Sequence, residues 1–386
     1  MNTTTTSTTE FLDLPDGRLP CDDSGDGTIV LRHEFQPTGV YLDSATYGLP
    51  PKAALQALSA VTAAWASGRY DPVSCDQAVG SARSTFARLH SVSVEDVAIG
   101  HQVSPMVGLI AASLPPRARV LAAEGDFTSL LFPLLAAGCD VRTIPLERLA
   151  DAVDSRTDLV AVSAVQSADG RLADLDAISS AAASYDALTL VDATQACGWL
   201  PLDAGRFSVV VTGGYKWLCH PRGTAFMTAA PELRDRIVPL AAGWYASEHP
   251  WDTCYRTPLR LASDARRFDV SPAWLSWHAA ATTLELFEAV GLGRIHEHNL
   301  ALANRLRTGL GLEPGDSAIV SLDAADEATD RLAGAGVKAA VRANRARLSC
   351  HLYNDEEDVD RTLEVLTDFI HAGGGSSSAR SRIARA

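Results

Sequence analysis

The stretch Thr212-Gly213-Gly214-Tyr215-Lys216-Trp217-Leu218 places a lysine in a glycine-containing turn directly after the apolar run 207–211. A second apolar run, Leu188-Thr189-Leu190-Val191, ends in Asp192, which lies 24 residues before Lys216. Short, continuously apolar runs predict strands that are buried on both faces of a largely parallel sheet. Ligands gather where such strands deliver their carboxyl ends, so we expect Lys216 and Asp192 to share one site.

A lysine and an aspartate at two strand ends are the pair that pyridoxal 5′-phosphate (PLP) chemistry requires. The amine of Lys216 would form a Schiff base with the cofactor aldehyde. The carboxylate of Asp192 would hold a proton on the pyridine nitrogen, so that the ring can accept electrons. The sequence therefore predicts a PLP enzyme with Lys216 and Asp192 as its catalytic residues.

Further apolar runs alternate with Ala- and Leu-rich segments of helical pattern. They predict strands near residues 97–99, 119–122, 140–144, 159–163 and 223–227, in addition to 188–192 and 207–211. We expect an α/β fold whose large domain, 39–290, holds a mostly parallel seven-stranded sheet flanked by helices. A smaller C-terminal α+β domain is predicted at 291–372, with a contribution from the N-terminal segment. Residues 1–38 are predicted to be a mobile segment and residues 373–386 a disordered tail.

The charge and the cysteine content limit the classes of partner and ligand that we expect this chain to bind. The formal net charge of −14 favours neither nucleic acid nor an anionic membrane. The seven cysteines form no CxxC pair, which argues against a disulfide framework and against a zinc site. The first ten residues lack the pattern of a signal peptide, and no apolar run approaches the ~18–20 residues of a membrane span. We therefore predict a cytoplasmic, metal-free protein that acts on a small molecule.

Two further strand ends offer cofactor contacts. In the segment 100–112, Ser104 and Pro105 resemble an N-cap and a first helical position, and Val103 and Ser104 would give N–H groups to a phosphate. A plain helix cap is the alternative interpretation. In the segment 124–129, Phe127 is placed to stack on the pyridine ring, and a core phenylalanine is the alternative.

Together these motifs resemble the class V aminotransferase superfamily of PLP enzymes of fold type I, over residues 41 to about 366. Val191-Asp192-Ala193-Thr194-Gln195 resembles its D-x-x-Q element. Gly214-Tyr215-Lys216-Trp217-Leu218, followed by Pro221-Arg222-Gly223-Thr224, is similar to its lysine motif. Phe268-Asp269-Val270-Ser271-Pro272 resembles the element that crosses a dimer interface.

The resemblance implies a role for each matching residue. Gln195 would donate a hydrogen bond to the cofactor's phenolic oxygen, and Tyr215 would touch its phosphate. Val103 and Ser104 match the phosphate-cupping turn, and Phe127 lies where kynureninases place a stacking phenylalanine. Ser271 would reach the phosphate of a second subunit, which implies a homodimer with shared active sites.

The segment 342–354 looks like the superfamily's R-x-S-x-x-x-Y-N element, which assigns the substrate α-carboxylate to Arg347. The planar guanidinium suits this role because it donates two parallel hydrogen bonds. Arg342 and Arg345 are further candidates, with solvated surface charge as the alternative. Ala45 and Thr46 belong to a segment that resembles the one passing over the site. His101 and Gln166 are also candidate substrate contacts, although a polar residue at a helix start explains His101 equally well.

The sequence does not decide which PLP-dependent reaction the protein catalyses. Our first hypothesis is β-elimination of the C–S lyase type on a cysteine-like conjugate, because kynureninase-like and C–S-lyase-like motifs occur together. The alternative is an aminotransferase that passes the amino group to a 2-oxo acid. An epimerase and a non-catalytic PLP-fold protein are further alternatives. A cysteine desulfurase is disfavoured, because the four residues between Arg342 and Arg347 include no cysteine for a mobile loop.

Overall fold

The computed structural model describes residues 31–372 except 256 and 324. Its strands are β1 (Val40–Tyr41), β2 (Val97–Gly100), β3 (Arg119–Ala123), β4 (Asp140–Ile144), β5 (Leu159–Ser163), β6 (Leu188–Asp192), β7 (Val209–Gly213), β8 (Ala225–Ala229), β9 (Ile319–Asp323), β10 (Val337–Lys338), β11 (Ala340–Arg342) and β12 (Arg345–Ser349). Its α-helices are α1 (Lys52–Ala66), α2 (Pro72–Leu89), α3 (Val103–Ser113), α4 (Thr128–Ala136), α5 (Leu175–Ser184), α6 (Pro250–Thr253), α7 (Trp274–Val290), α8 (Leu292–Gly309), α9 (Ala325–Gly334) and α10 (Glu356–Ala372). None of the helices in these ranges combines the length and apolarity needed to cross a bilayer.

A seven-stranded sheet in the order β2-β8-β7-β6-β5-β3-β4 forms the centre of the molecule. Its neighbouring strands pair in parallel except at β8, which is antiparallel to both β2 and β7. The predicted α/β fold with a mostly parallel seven-stranded sheet is therefore confirmed. Because β6 and β7 are neighbours, their carboxyl ends lie side by side.

Two of the predicted strands begin two residues too early. The run 207–211 was expected to be a strand, but β7 starts at Val209, because Phe207 ends a short 3-10 turn over Ala204–Arg206 and packs into the core. The run 223–227 was expected to be the next strand, but β8 starts at Ala225. Gly223 has a φ of +95°, which belongs to a turn rather than to extended backbone.

Both faces of the central sheet are buried along its continuously apolar strands, whereas the edge strand β4 exposes Asp140, Arg142 and Thr143. On one face Val210 joins a core with Phe86 of α2 and Trp277 of α7. On the other face Val209 and Val211 pack with apolar side chains of α3 and α4. This alternation follows from the two-residue period of a strand and holds the carboxyl ends of β6 and β7 in a fixed position.

A smaller antiparallel sheet, in the order β11-β12-β9, packs with α8, α9 and α10. The short strand β1 pairs in parallel with β10, so the chain before α1 contributes to this unit. Leu31 and Phe35, which belong to the segment 1–38, are buried in the core, and the mobility of that segment stays a prediction. Residues 1–30 and 373–386, including the predicted tail, lie outside the described residues. The domain boundaries at 290 and 291 stay a prediction.

Candidate active site

Lys216 lies in the turn after β7 and is 6% exposed. The carbonyl of Lys216 accepts a hydrogen bond from the Cys219 N–H at 3.0 Å, and the Trp217 carbonyl accepts one from Nε2 of His351 at 2.8 Å. Gly198, with a φ of +106°, approaches so closely that a Cβ there would lie 2.4 Å from the Trp217 carbonyl oxygen. The backbone around the lysine is therefore fixed on several sides, and only glycine fits at position 198.

The ε-amine of Lys216 is shifted towards neutrality. Burial lowers its pKa to about 8, the carboxylate of Asp192 opposes this shift, and three arginines (Arg347, Arg342 and Arg222) add to it. The Lys216 Nζ lies 5.2 Å from the centroid of the Phe127 ring. A buried amine with a lowered pKa is the form of lysine that acts as a nucleophile and as a base near pH 7.

Asp192 ends β6 and is almost completely buried. Its Oδ1 accepts a hydrogen bond from the Thr194 N–H at 2.9 Å, and the Thr194 hydroxyl accepts one from the Gly213 N–H at 3.0 Å. Burial raises the pKa of Asp192 despite these bonds and despite Lys216. A carboxylate in this position is stabilised by a cationic N–H partner, which a protonated pyridine nitrogen supplies.

Lys216 and Asp192 line a cavity of about 270 Å³. Seven residues that the sequence predicted come together there: Val103, Ser104, Phe127, Asp192, Gln195, Tyr215 and Lys216. Six lining residues were not predicted: Gln102, Ser129, Ser163, Ser167, Thr194 and Arg222. The cavity thus combines the two strand ends with the start of α3 and the start of α4.

The start of α3 differs from the prediction. Gln102 is the N-cap and Val103 the first helical residue, whereas Ser104 was expected to be the N-cap and Pro105 the first residue. Proline fits equally well later in the first turn, since the first four N–H groups of a helix have no partner within the helix. The Gln102 side chain does not cap these N–H groups. The N–H groups of Val103 and Ser104 are therefore available to an anion at this end of the cavity.

Arg222 is the lining residue of most consequence that the sequence analysis missed. Its guanidinium carbon lies 4.0 Å from the centroid of the Tyr215 ring, which is cation–π distance. Arg222 belongs to the lysine motif, but its spacing in the sequence does not indicate a role. With the free N–H groups of α3 it makes one end of the cavity attractive to a phosphate.

Arg347 is buried beside the cavity, with 1% of its surface exposed. It donates from NH1 to the Ser167 carbonyl at 2.5 Å and from NH2 to the Thr46 hydroxyl at 2.7 Å. Its Nε has no hydrogen-bond partner among the described residues. Burial and the nearby Arg342 lower the pKa of Arg347 to about 10, and Asp43 opposes them. A buried arginine with an unused N–H group is stabilised by a bound carboxylate.

Gln195 and Ala45 connect the segments around this arginine. Gln195 donates from Nε2 to the Ala45 carbonyl and to the Ser167 hydroxyl, both at 3.0 Å, and accepts from Nε1 of Trp217 at 2.7 Å. Ala45 in turn donates its N–H to the hydroxyl of Ser349 at 3.0 Å. Both N–H groups of the Gln195 amide are therefore in use, so the predicted bond to a phenolic oxygen requires one of them to be exchanged.

Six predicted residues are not among those that line the cavity: Ala45, Thr46 and Arg347, which bond to lining residues or to one another, and His101, Gln166 and Ser271. His101 is exposed, with Nδ1 3.4 Å from the Gly223 carbonyl oxygen. Gln166 is buried and donates at 3.3 Å to Asp126, which also binds the N–H and hydroxyl of Ser163. Ser271 is exposed. The substrate roles of His101 and Gln166, and the cross-subunit role of Ser271, stay predictions.

The sheet order and the buried Lys216–Asp192 pair are those of a PLP-dependent enzyme of fold type I. The family model for class-V aminotransferases matches residues 136–333. The uncharacterized aminotransferase YcbU of Bacillus subtilis is 30% identical over 321 residues, which cover 75% of this chain and 84% of YcbU. The chain belongs to the class-V aminotransferase family, whose members are PLP-dependent enzymes.

Two other similar proteins illustrate the range of the family. Isopenicillin N epimerase of Streptomyces clavuligerus is 25% identical over 384 residues, with coverage of 86% of this chain and 95% of the epimerase. A structure of C-DES with glycine covalently linked to its PLP cofactor has a TM-score of 0.78 at 19% identity, and the match covers 87% of this chain and 99% of C-DES. At that identity the likeness shows the fold alone.

The residues present fit the cofactor that the family implies. Asp192 is a buried carboxylate without a cationic hydrogen-bond partner in the described part of the chain, and it suits the pyridine nitrogen. Lys216 lines the same cavity and suits the aldehyde. The uncapped start of α3 and Arg222 suit the phosphate. Each of the three chemical groups of PLP therefore has a complementary group in one cavity.

Proposed function

We propose that this chain is a PLP-dependent lyase that removes the Cα proton of a cysteine-like amino acid and eliminates its β-substituent through sulfur. The observation that carries the proposal is the state of Lys216. Burial lowers the pKa of Lys216, which lines the cavity, to about 8. The same amine can take a proton at one step and return it at another.

Bound PLP supplies an electron sink that accepts the electron pair of a broken Cα bond. Residues of the chain orient the substrate and transfer the protons. Arg347 would hold the substrate carboxylate and thereby fix which Cα bond faces Lys216. Neutral Lys216 would take the Cα proton, and Asp192 would hold a proton on the ring nitrogen. The ammonium of Lys216 would then protonate the leaving sulfur.

The proposed reaction balances without an added oxidant or reductant. The Cα–H and Cβ–S bonds break, the thiol leaves with a proton, and the released enamine reacts with water to give pyruvate and ammonium. Neutral Lys216 is regenerated because it gives the sulfur the proton that it took from Cα.

The test is to incubate PLP-loaded protein with cysteine S-conjugates such as S-methyl-L-cysteine and to measure thiol, pyruvate and ammonia. All three should appear in equal amounts. Lys216→Ala should abolish them, whereas Lys338→Ala, at an exposed lysine outside the cavity, should not. Absence of all three products across the conjugate panel, from protein with bound cofactor, would contradict the proposal.

An aminotransferase is the second candidate, favoured by the 30% identity to a protein named as an aminotransferase. Lys216 would then move the proton from Cα to the cofactor carbon. A substrate amino acid alone should convert the bound cofactor to its amine form, seen by absorption, and a 2-oxo acid should reverse the change. Release of ammonia with each turnover distinguishes the lyase from this alternative.

A further inference from the structure

We propose that Arg342 and Arg347 form a paired anion site that selects amino acids carrying a second carboxylate in the side chain. The inference rests on the proposed function in one respect, since Arg347 is taken to hold the α-carboxylate. Arg342 is then the residue that determines specificity for the substrate side chain.

The two arginines meet at one oxygen. The hydroxyl of Thr46 accepts a hydrogen bond from NH2 of Arg347 at 2.7 Å and another from NH2 of Arg342 at 3.1 Å. The two nitrogen atoms are therefore less than about 6 Å apart. At such a distance two positive charges repel each other even at the protein surface, where the effective dielectric constant is about 20.

Asp43, which pairs with Arg347 at 3.9 Å, offsets only part of this repulsion. Arg342 forms no salt bridge with any described residue, and its second bond, from NH1 at 2.7 Å, goes to the Val341 carbonyl. The acid nearest to Arg347 is Asp43, at 3.9 Å from NH2, and the Oδ1 of Asp43 has no hydrogen-bond partner in the described part. A ligand with two negative charges would complete the pairing that the protein leaves open.

A second observation points to a ligand independently of charge. Arg347 is 1% exposed, yet its Nε has no hydrogen-bond partner within the described residues. A buried, unmade hydrogen bond to a charged group is costly, and such groups are normally satisfied. The unused donor therefore marks the place of an acceptor that arrives with the substrate.

The hairpin holds Arg342 in place. β11 and β12 are joined by two residues, Ala343 and Asn344, with φ of 46° and 61°. Positive φ at both positions is the geometry of a type I′ turn, which fixes the register of a hairpin, here with Arg342 opposite Arg345. A short, registered turn keeps Arg342 beside Arg347, whereas a long loop would not.

The ligand chemistry follows from these distances. One carboxylate of the substrate binds Arg347. Arg342 is exposed and close enough to Lys216 to lower its pKa, so it remains available for a carboxylate on the side chain. A cysteine conjugate whose sulfur carries a carboxymethyl group has this form, as do short dicarboxylic amino acids. An amide in place of the second carboxylate has the same shape but no charge.

The test compares acid and amide partners of equal size. PLP-loaded protein is titrated with S-(carboxymethyl)-L-cysteine and S-(carbamoylmethyl)-L-cysteine, and dissociation constants are taken from the change in cofactor absorption. We expect the acid to bind at least about tenfold more tightly. Arg342→Gln should remove this preference and leave the amide unchanged. Arg345→Gln is the matched control, because Arg345 lies on the same hairpin but bonds to Ser321 and Asp323.

Two outcomes would overturn the inference: equal binding of acid and amide by the natural chain, or a loss in Arg342→Gln that is the same for both. A response to no amino acid at all would instead overturn the proposed function. The paired site is then still tested with succinate and succinamate, which lack the amine. Succinate should raise the Tm of the loaded protein more than succinamate does, and only while Arg342 is present; equal shifts would refute the paired site.

Discussion

The reactivity of Lys216 towards PLP should follow a pH profile centred near 8. An ordinary lysine has a pKa of about 10.4 and is neutral in roughly 1 of 2,500 molecules at pH 7. With a pKa of about 8, Lys216 is neutral in about 1 of 11 molecules at that pH. The cofactor-free protein should therefore capture PLP at Lys216 up to about 200 times faster at pH 7 than an ordinary lysine would allow.

The chain provides its own controls, because it contains only three lysines, Lys52, Lys216 and Lys338. Cofactor-free protein is mixed with PLP at pH 6 to 10, reduced with borohydride after short times, and digested. Mass spectrometry then gives the pyridoxyl label on each lysine. Label should accumulate on Lys216 with a midpoint near pH 8. Asp192→Asn should lower the midpoint, because the Asp192 carboxylate raises the pKa of the amine.

The result that refutes this reasoning is specific. Label shared equally among the three lysines would mean that the cavity does not activate Lys216. A rate at Lys216 that rises only above pH 10 would mean that burial does not lower its pKa. An unchanged midpoint in Asp192→Asn would mean that the carboxylate does not act on the amine.

Three more outcomes are expected. Arg347→Lys should raise KM for the amino-acid substrate by about 10 to 100 times in steady-state kinetics, with a smaller effect on kcat, because one ammonium cannot replace a bidentate guanidinium; an unchanged KM would place the carboxylate elsewhere. Arg222→Gln should weaken PLP binding about tenfold without changing the affinity for pyridoxal, which lacks the phosphate, and equal losses for both would argue against a phosphate contact. Burial lowers the pKa of His90 to about 4 and of His220 and His351 to about 3, so their contribution to stability is complete above about pH 6.5 and is lost as pH falls towards 3. The free energy of unfolding in urea should then fall by up to about 4 kcal/mol per pH unit below pH 6, since the unfolded chain binds three more protons, and a flat profile from pH 7 to 5 would contradict this assignment.

The sheet was predictable from sequence because its strands are buried on both faces. A continuous apolar run such as 159–163 buries the side chains of both its faces only in the interior of a sheet. The predicted bounds of this run are those of β5. The misplaced starts of β7 and β8 have different causes. Phe207 is an apolar core residue, so hydrophobicity alone does not separate the end of a turn from the start of a strand. Gly223 has a positive φ, which the sequence does not show.

Site residues at the ends of strands could be predicted from the sequence. The hydrogen-bond partners of polar side chains could not. Lys216 and Asp192 follow from β7 and β6. The substrate contact of Gln166 stays a prediction. Its amide donates to Asp126, a buried acid whose need for donors does not appear in a sequence pattern. Arg222 was passed over for a similar reason, since only the fold brings its guanidinium onto the Tyr215 ring.

At the proposed substrate end of the cavity, a carboxylate that binds NH1 and NH2 of Arg347 would replace existing bonds. Ser167 accepts at its carbonyl from Arg347 and at its hydroxyl from Gln195, and Thr46 accepts from Arg347 as well. These bonds hold the guanidinium in place before any ligand arrives, which reduces the entropy lost on binding. A carboxylate binds Arg347 more strongly than the neutral oxygens of Ser167 and Thr46 do, because it carries a negative charge. Neutral ligands carry no such charge, so these bonds to Arg347 favour the binding of anions over neutral ligands.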